Sequence, residues 1–181
     1  MMHAKTYLEP GAQGPIVTEN QRIGDLAYGE VVNKMPIPCT DVVFFLPGDL
    51  ALYLAKRNIK PHPRVWVIGG RIFFNDETLE ASAARCVKRE TGFDIDPKKL
   101  LFIGSSLYAW SETAQGGVGK NLVVTFAYPI SPADRATISS GLIGSEYVQD
   151  FGLQRFDENR LKEGNCHPAL IDMLRTIFRL G

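Results

Sequence analysis

Apolar and polar positions along the chain fall into segments of different period. Residues 1 to about 24 are rich in Gly, Pro and polar side chains and carry no sustained period, which predicts an arm or loosely attached extension ahead of a domain over residues 25–181. Ile37 to Leu46 (IPCTDVVFFL) is β-branched and aromatic, a turn follows at Pro47-Gly48-Asp49, and Leu50 to Ala55 (LALYLA) resumes the apolar run. This reads as a hairpin. Lys56 to Arg64 (KRNIKPHPR) is a basic loop that two prolines keep from being helical, and Val65 to Ile68 (VWVI) is a short strand ending at Gly69-Gly70. Glu77 to Glu90 contains neither Gly nor Pro and places Leu79, Ala83, Cys86 and Val87 on one helical face, with Asn75 or Asp76 as its cap and Gly92 as its end. Leu100–Ser106 and Leu122–Pro129 read as strands separated by the Gly-rich loop Ala114 to Lys120. Thr137 to Gly144 reads as a loop and Phe151 to Phe156 as a last short strand. Pro168 to Leu180 has the apolar spacing of an amphipathic helix at Leu170, Ile171, Leu174, Ile177 and Phe178.

Composition narrows the picture. A chain of 181 residues with 45% hydrophobic content is suited to one domain with a sizeable core. Twenty basic residues balance twenty acidic ones, so the totals give no nucleic-acid footprint and no membrane-surface charge. Attraction for an anionic ligand must therefore be local. No apolar stretch approaches the roughly 20 residues needed to cross a bilayer, and the start lacks a secretory pattern, which predicts a cytoplasmic protein. Cys39, Cys86 and Cys166 are odd in number, far apart and without a CxxC pair, so they read as buried thiols rather than as disulfides or a zinc site.

The chemistry concentrates in one stretch. A strand, a glycine pair, a loop and a capped helix that closes at another glycine each do a separate physical job. Glycines let a backbone approach an anion or metal. Carboxylates on one side of a helix can hold a hard divalent cation, which neutralises the charge of linked phosphates.

Gly70, six residues, Glu77, seven residues, Arg85, then Cys86-Val87-Lys88-Arg89-Glu90-Thr91-Gly92-Phe93 resembles the Nudix box. The spacing from Glu77 to Phe93 is that of the box; Cys86 and Arg89 stand where it has glutamates, and the first loop is one residue longer. A box that keeps only the last of those three glutamates resembles the GDP-mannose mannosyl hydrolase branch. The likeness extends to Val31-Val32, Pro36-Ile37, Asp41, Lys56-Arg57, Trp66 to Arg71, Asp76 to Ala81 and Asn165-Cys166-His167. It implies an α/β fold with a mixed β-sheet sandwiched between α-helices, and a homodimer. It implies that Glu90 and the backbone of Gly69 or Gly70 hold Mg²⁺, or Mn²⁺ in its place. Arg57 and Arg71 would contact the diphosphate or base, and Asp41 the sugar. A late metal ligand, a glutamine in that branch, corresponds to Glu146 or Gln149, and Glu146 is preferred because a carboxylate suits Mg²⁺. The branch's histidine base has no counterpart here, which leaves Glu112, Glu146 or Asp150 as the carboxylate that would activate water.

On this reading the partner is a nucleoside-diphosphate small molecule. Glu90, Glu146 and Arg71 form the catalytic set, and Trp110 either stacks on a base or belongs to the core. One surviving glutamate favours departure of a nucleoside diphosphate from a sugar carbon, which needs mainly one cation and arginines at the leaving charge. Alternatives stand beside it. Asp41 can be a salt-bridged structural acid, His167 a capping residue, and Arg89 can replace the cation and leave the site metal-free. The chain can accordingly be a nucleotide-binding module without turnover, or a pyrophosphohydrolase attacking phosphorus with carboxylates from Glu112, Glu146 or Glu77.

Overall fold

The computed structural model describes residues 30–31, 34–60, 64–73, 75–111 and 118–179. The arm over residues 1–24, His62 and Glu112 lie outside them. The expected run Ile37–Leu46 forms β1, Ile37–Phe45, a strand buried along nearly its whole length. After a turn in which Gly48 takes φ 85°, β2 (Leu52–Lys56) returns antiparallel to it, with Phe44 opposite Tyr53. The hairpin is therefore as expected.

The predicted single strand at Val65 divides into β3 (Val65–Trp66), which pairs with β2, and β4 (Ile68–Arg71), which pairs with β1. Gly69-Gly70 does not end a strand but lies inside β4, with Gly69 opposite Asp41 and Gly70 opposite Thr40. One edge of β1 is thus shared between β4 and β2, while its other edge runs parallel to β6 (Gly119–Pro129). Beyond β6 lies antiparallel β5 (Leu101–Trp110), and β7 (Gln154–Phe156) pairs with β2. Among the described residues the result is a mixed seven-stranded sheet.

Helices cover both faces. α1 (Leu79–Thr91) and α2 (Pro132–Gly141) pack on one, where Val42, Phe44, Ile68, Val87, Phe126 and Ile138 form a core. α3 (Glu158–Glu163) and α4 (Pro168–Arg179) pack on the other, where Val43, Leu54, Trp66, Leu161, Leu170 and Ile177 form a second. Alternation along β1 supplies Val42 and Phe44 to the first core and Val43 to the second, so one strand anchors both layers.

Two expectations are corrected. Thr137 to Gly144 is not a loop up to Gly141, because Ser131 and Asp134 form a reciprocal capping box and Pro132 fixes the first turn of α2. The cap of α1 is Thr78, whose Oγ1 accepts the Ala81 N–H at 3.0 Å, rather than Asn75 or Asp76. Gly92 closes α1 with φ 68°, as its position implied. Among the described residues no helix is long and apolar enough to cross a membrane.

Candidate functional site

β4 and α1 are held at a fixed distance by the side chain that the cap prediction misassigned. Asp76 receives Arg85 Nε on one oxygen and Arg85 Nη2 on the other, both at 2.7 Å. Arg85 Nη2 also reaches the Arg71 carbonyl at 2.9 Å, and the guanidinium lies 3.8 Å from the centre of the Phe73 ring. A bidentate pair of this kind fixes orientation as well as distance. It clamps the loop between the glycine pair and the helix onto the body of α1.

Successive residues of a strand face opposite sides of a sheet, so the glycine pair opens both faces at once. A Cβ on Gly69 would overlap Asp41 Oδ1 and the Thr40 carbonyl oxygen. A Cβ on Gly70 would lie 2.9 Å from Arg89 Nη2 and 3.2 Å from Cys86 Sγ. On the first side burial pushes the Asp41 carboxyl up to about 7, against the attraction of Arg57, while Trp66 donates a hydrogen bond to it. On the second side lies the acid that ends α1. Glu90 is fully buried, and its Oε1 accepts from Arg89 Nη2 while Oε2 accepts from the Tyr147 hydroxyl. Burial pushes its carboxyl up; the Tyr147 hydrogen bond and the Arg89 charge oppose that rise, and nearby Glu146 adds to it.

Tyr147 reaches Glu90 because the chain after α2 returns alongside β2. Asn58 N–H donates to the Glu146 carbonyl at 3.0 Å, Val148 N–H to the Lys56 carbonyl at 2.9 Å, and Arg57 and Tyr147 face each other as an isolated antiparallel bridge. Ile143 N–H binds the Glu90 carbonyl at 3.0 Å, which ties the same segment to the end of α1. Arg57 Nη2 sits 3.5 Å from Glu146 Oε2, with the two side chains 17% and 24% exposed. Arg57 Nε is buried without a hydrogen-bond partner among the described residues.

Arg57, Gly70, Glu90 and Glu146 therefore gather on the α1 side of β4, while Asp41 lies beside Gly69 on the other. Arg89 completes that cluster, and so does Tyr147, which sequence reasoning missed. No local signal marked Tyr147: it lies just past a turn in an isolated bridge, and its contact depends on tertiary return of the chain. Arg71 is exposed at the end of β4. Trp110 lies on the Asp41 face of the sheet, half-buried at the end of β5, stacked on Tyr108 and edge-on to Trp66. Its Nε1 donates to Asn121 Oδ1 at 3.1 Å, so an aromatic cluster already occupies much of its surface. His167 Nδ1 accepts the Ala169 N–H at 3.2 Å, a capping contact at the start of α4. Asp150 is exposed, and the Gln149 amide donates to the Leu142 carbonyl at 2.5 Å rather than turning to Glu90. Cys39 and Cys86 are buried; burial pushes the Cys39 thiol up to about 12 and raises Cys86 as well.

These contacts bear on a divalent ion held by Glu90, Glu146 and the Gly69–Gly70 backbone, the arrangement that the box resemblance implies. Both Glu90 oxygens have hydrogen-bond donors, the Glu146 carboxylate faces Arg57, and the Arg89 guanidinium spans the gap between Glu90 and Gly70. Among the described residues no group of three or more His, Cys, Asp or Glu is placed to hold a metal. The donor set does not fit the ion, because a guanidinium already supplies the positive charge at its position.

No protein-family model matches the chain, and no curated protein matches its sequence. Solved structures do match. A MutT Nudix hydrolase from Burkholderia pseudomallei superposes with a TM-score of 0.58 at 15% identity, over 80% of this chain and 99% of that one. A MutT protein from Methanosarcina mazei Go1 gives 0.56 at 16% identity, over 81% and 96%. The Nudix domain of Shewanella oneidensis NrtR, complexed with ADP ribose, gives 0.53 at 16% identity, over 82% and 90%. Identities this low speak to architecture alone, and the architecture agrees with the sheet order and helix layers described above: the chain has the Nudix fold.

Proposed function

We propose that the chain binds a nucleoside-diphosphate-linked small molecule, a nucleotide sugar foremost, across β4 and the C-terminal end of α1. The carrying observation is the guanidinium of Arg89 fixed between the terminal acid of α1 and the glycine pair. Arg57 lies near it, paired with Glu146, and Arg71 stands exposed at the end of β4, so three guanidinium groups serve a strand whose glycines permit close approach of an anion. Arginine suits this work because its charge does not titrate and its planar donors match phosphate oxygens. The ADP-ribose complex of a Nudix domain with the same fold supports a ligand of this class. Missing carboxylates at Cys86 and Arg89, and the absent histidine, place binding ahead of turnover.

Hydrolysis at the sugar carbon is the second reading, and Asp41 favours it. A buried carboxyl brought to about 7 beside the glycine pair has the proton affinity that acid or base work near neutral pH needs. In that reaction water attacks the anomeric carbon, the carbon–oxygen bond to the diphosphate breaks, and the arginines hold the leaving group. Attack at phosphorus requires carboxylates that the described site does not assemble.

Calorimetric titration with a panel of nucleoside-diphosphate compounds, including ADP-ribose and a GDP-hexose, tests binding directly. Saturable binding that is lost in Arg71→Ala is expected, and no heat from any member of the panel overturns the proposal. Incubation in ¹⁸O-labelled water then separates the readings. Label in the sugar means carbon attack, label in a phosphate product means phosphorus attack, and bound but unchanged ligand means a binding module.

A further inference from the structure

We infer that Arg89 is a built-in counter-charge that takes the place of a divalent ion, so that the site recognises diphosphate without metal. The inference deepens the binding proposal and rests on it for the identity of the ligand, but not for the placement of charge.

The geometry is specific to this pair of neighbours on α1. Residues 89 and 90 lie in the last turn of the helix, with Glu90 turned inward and wholly buried while the Arg89 side chain is 43% exposed. Glu90 takes the Arg89 Nη2 donor on one oxygen, and Tyr147, itself buried, secures the other. The guanidinium is thereby drawn across Gly70, where the missing Cβ leaves room for it. Its remaining donors, on the exposed side, are the ones available to a phosphate.

Charge pairing leads to the same place. Two acids near the end of α1, Glu90 and Glu146, each face one guanidinium, Arg89 and Arg57 respectively. A divalent ion at Glu90 would have to displace Arg89 and would then sit beside a second cation at Arg57. Glu90 and Tyr147 are positioning residues in this scheme: Tyr147 holds Glu90, Glu90 holds Arg89, and Arg89 touches the ligand.

Electron paramagnetic resonance of Mn²⁺ titrated into the full chain decides the placement without reference to any substrate. Wild type is expected to leave Mn²⁺ free, whereas Arg89→Glu, which sets a second carboxylate beside Glu90, is expected to bind one equivalent. Stoichiometric Mn²⁺ binding by wild type that Glu90→Gln abolishes overturns the inference, and so does a folded Arg89→Glu protein that takes no Mn²⁺. The wild-type measurement stands even where Arg89→Glu does not fold.

ADP-ribose is the probe for recognition. Its affinity for wild type is expected to be unchanged by EDTA and to weaken roughly tenfold or more in Arg89→Gln, the loss expected for a charge-assisted hydrogen bond. Affinity that collapses in EDTA overturns the inference. In Tyr147→Phe the Nε–H NMR resonance of Arg89 should move although the fold persists, and an unmoved resonance would remove Tyr147 from the cradle. Failure of every nucleoside-diphosphate compound to bind would defeat the functional proposal alone, since the Mn²⁺ result is read independently.

Discussion

Gly69 and Gly70 are adjacent, yet a methyl group added to each should have unequal consequences. At Gly69 it would meet the Thr40 backbone as well as the Asp41 carboxylate, and backbone inside a paired strand cannot step aside. At Gly70 it would meet chiefly the far end of Arg89, a flexible side chain. Gly69→Ala should therefore destabilise the fold by about 3 kcal/mol or more, within the range of severe overpacking, and Gly70→Ala by less than half as much. Denaturant midpoints compare the two directly. Asp41 makes a second prediction. Its carboxyl titrates near 3.8 when unfolded and near 7 when buried, so between those values the folded chain keeps a proton that the unfolded chain has released. Stability should fall as pH rises from about 4 to about 7, by at most about 4 kcal/mol, and level off above that. Denaturation across this window should show the slope, and Asp41→Asn should flatten it. At this scale the sequence pointed to the stretch where the glycine pair, Glu90 and Arg57 come close, with Asp41 beside Gly69 on the opposite side of the sheet. Tyr147 stayed hidden because its partner is 57 positions away, and Arg89 was open to two readings because one residue type serves both a solvated helix face and a buried ion pair.

Elements were legible when burial wrote a period into them. α1 and α4 each lay an apolar face on the sheet, and the predicted spans agree with the observed ones to within two residues at each end. α2 buries only Ile138, so its apolar residues carry no helical stripe to read. What holds it is local: Ser131 Oγ accepts the Asp134 N–H at 3.1 Å, Asp134 accepts the Ser131 N–H at 2.9 Å, and Pro132 presets the first turn. The capping sequence was present in the chain, but it uses Asp where a capping box more often has Glu or Gln. A helix sustained mainly by its cap should be sensitive to the cap. Ser131→Ala is expected to cost about 1 kcal/mol in global stability, read from the denaturant midpoint with unchanged slope. Because α2 supports the segment that carries Tyr147, the same substitution should also weaken ADP-ribose binding. Equal affinity in the two proteins would show that the return segment is held by β2 alone.

Across the whole molecule, two apolar cores lie on opposite faces of one sheet and could in principle melt apart. The strands argue against it. β1 and β6 run side by side through nine paired positions and alternate their side chains between the cores, with Val42 and Phe126 on one face and Val43 and Ala127 on the other. Loosening either layer removes the support of a strand on which the other is built, so unfolding should be a single transition. The chain's two tryptophans, Trp66 and Trp110, provide a one-sided probe, since both pack with the α3–α4 core. Ile138→Ala opens a cavity in the opposite core, beneath α2, and should lower stability by roughly 2–5 kcal/mol. If the sheet couples the layers, tryptophan fluorescence must report that loss in full, at the same denaturant midpoint as far-ultraviolet circular dichroism. Leu170→Ala, made in the core that holds the tryptophans, should displace both curves together in the same way. Fluorescence left at the wild-type midpoint in Ile138→Ala, while dichroism moves, would mean that the two faces unfold as separate units and that the shared strands do not transmit the loss.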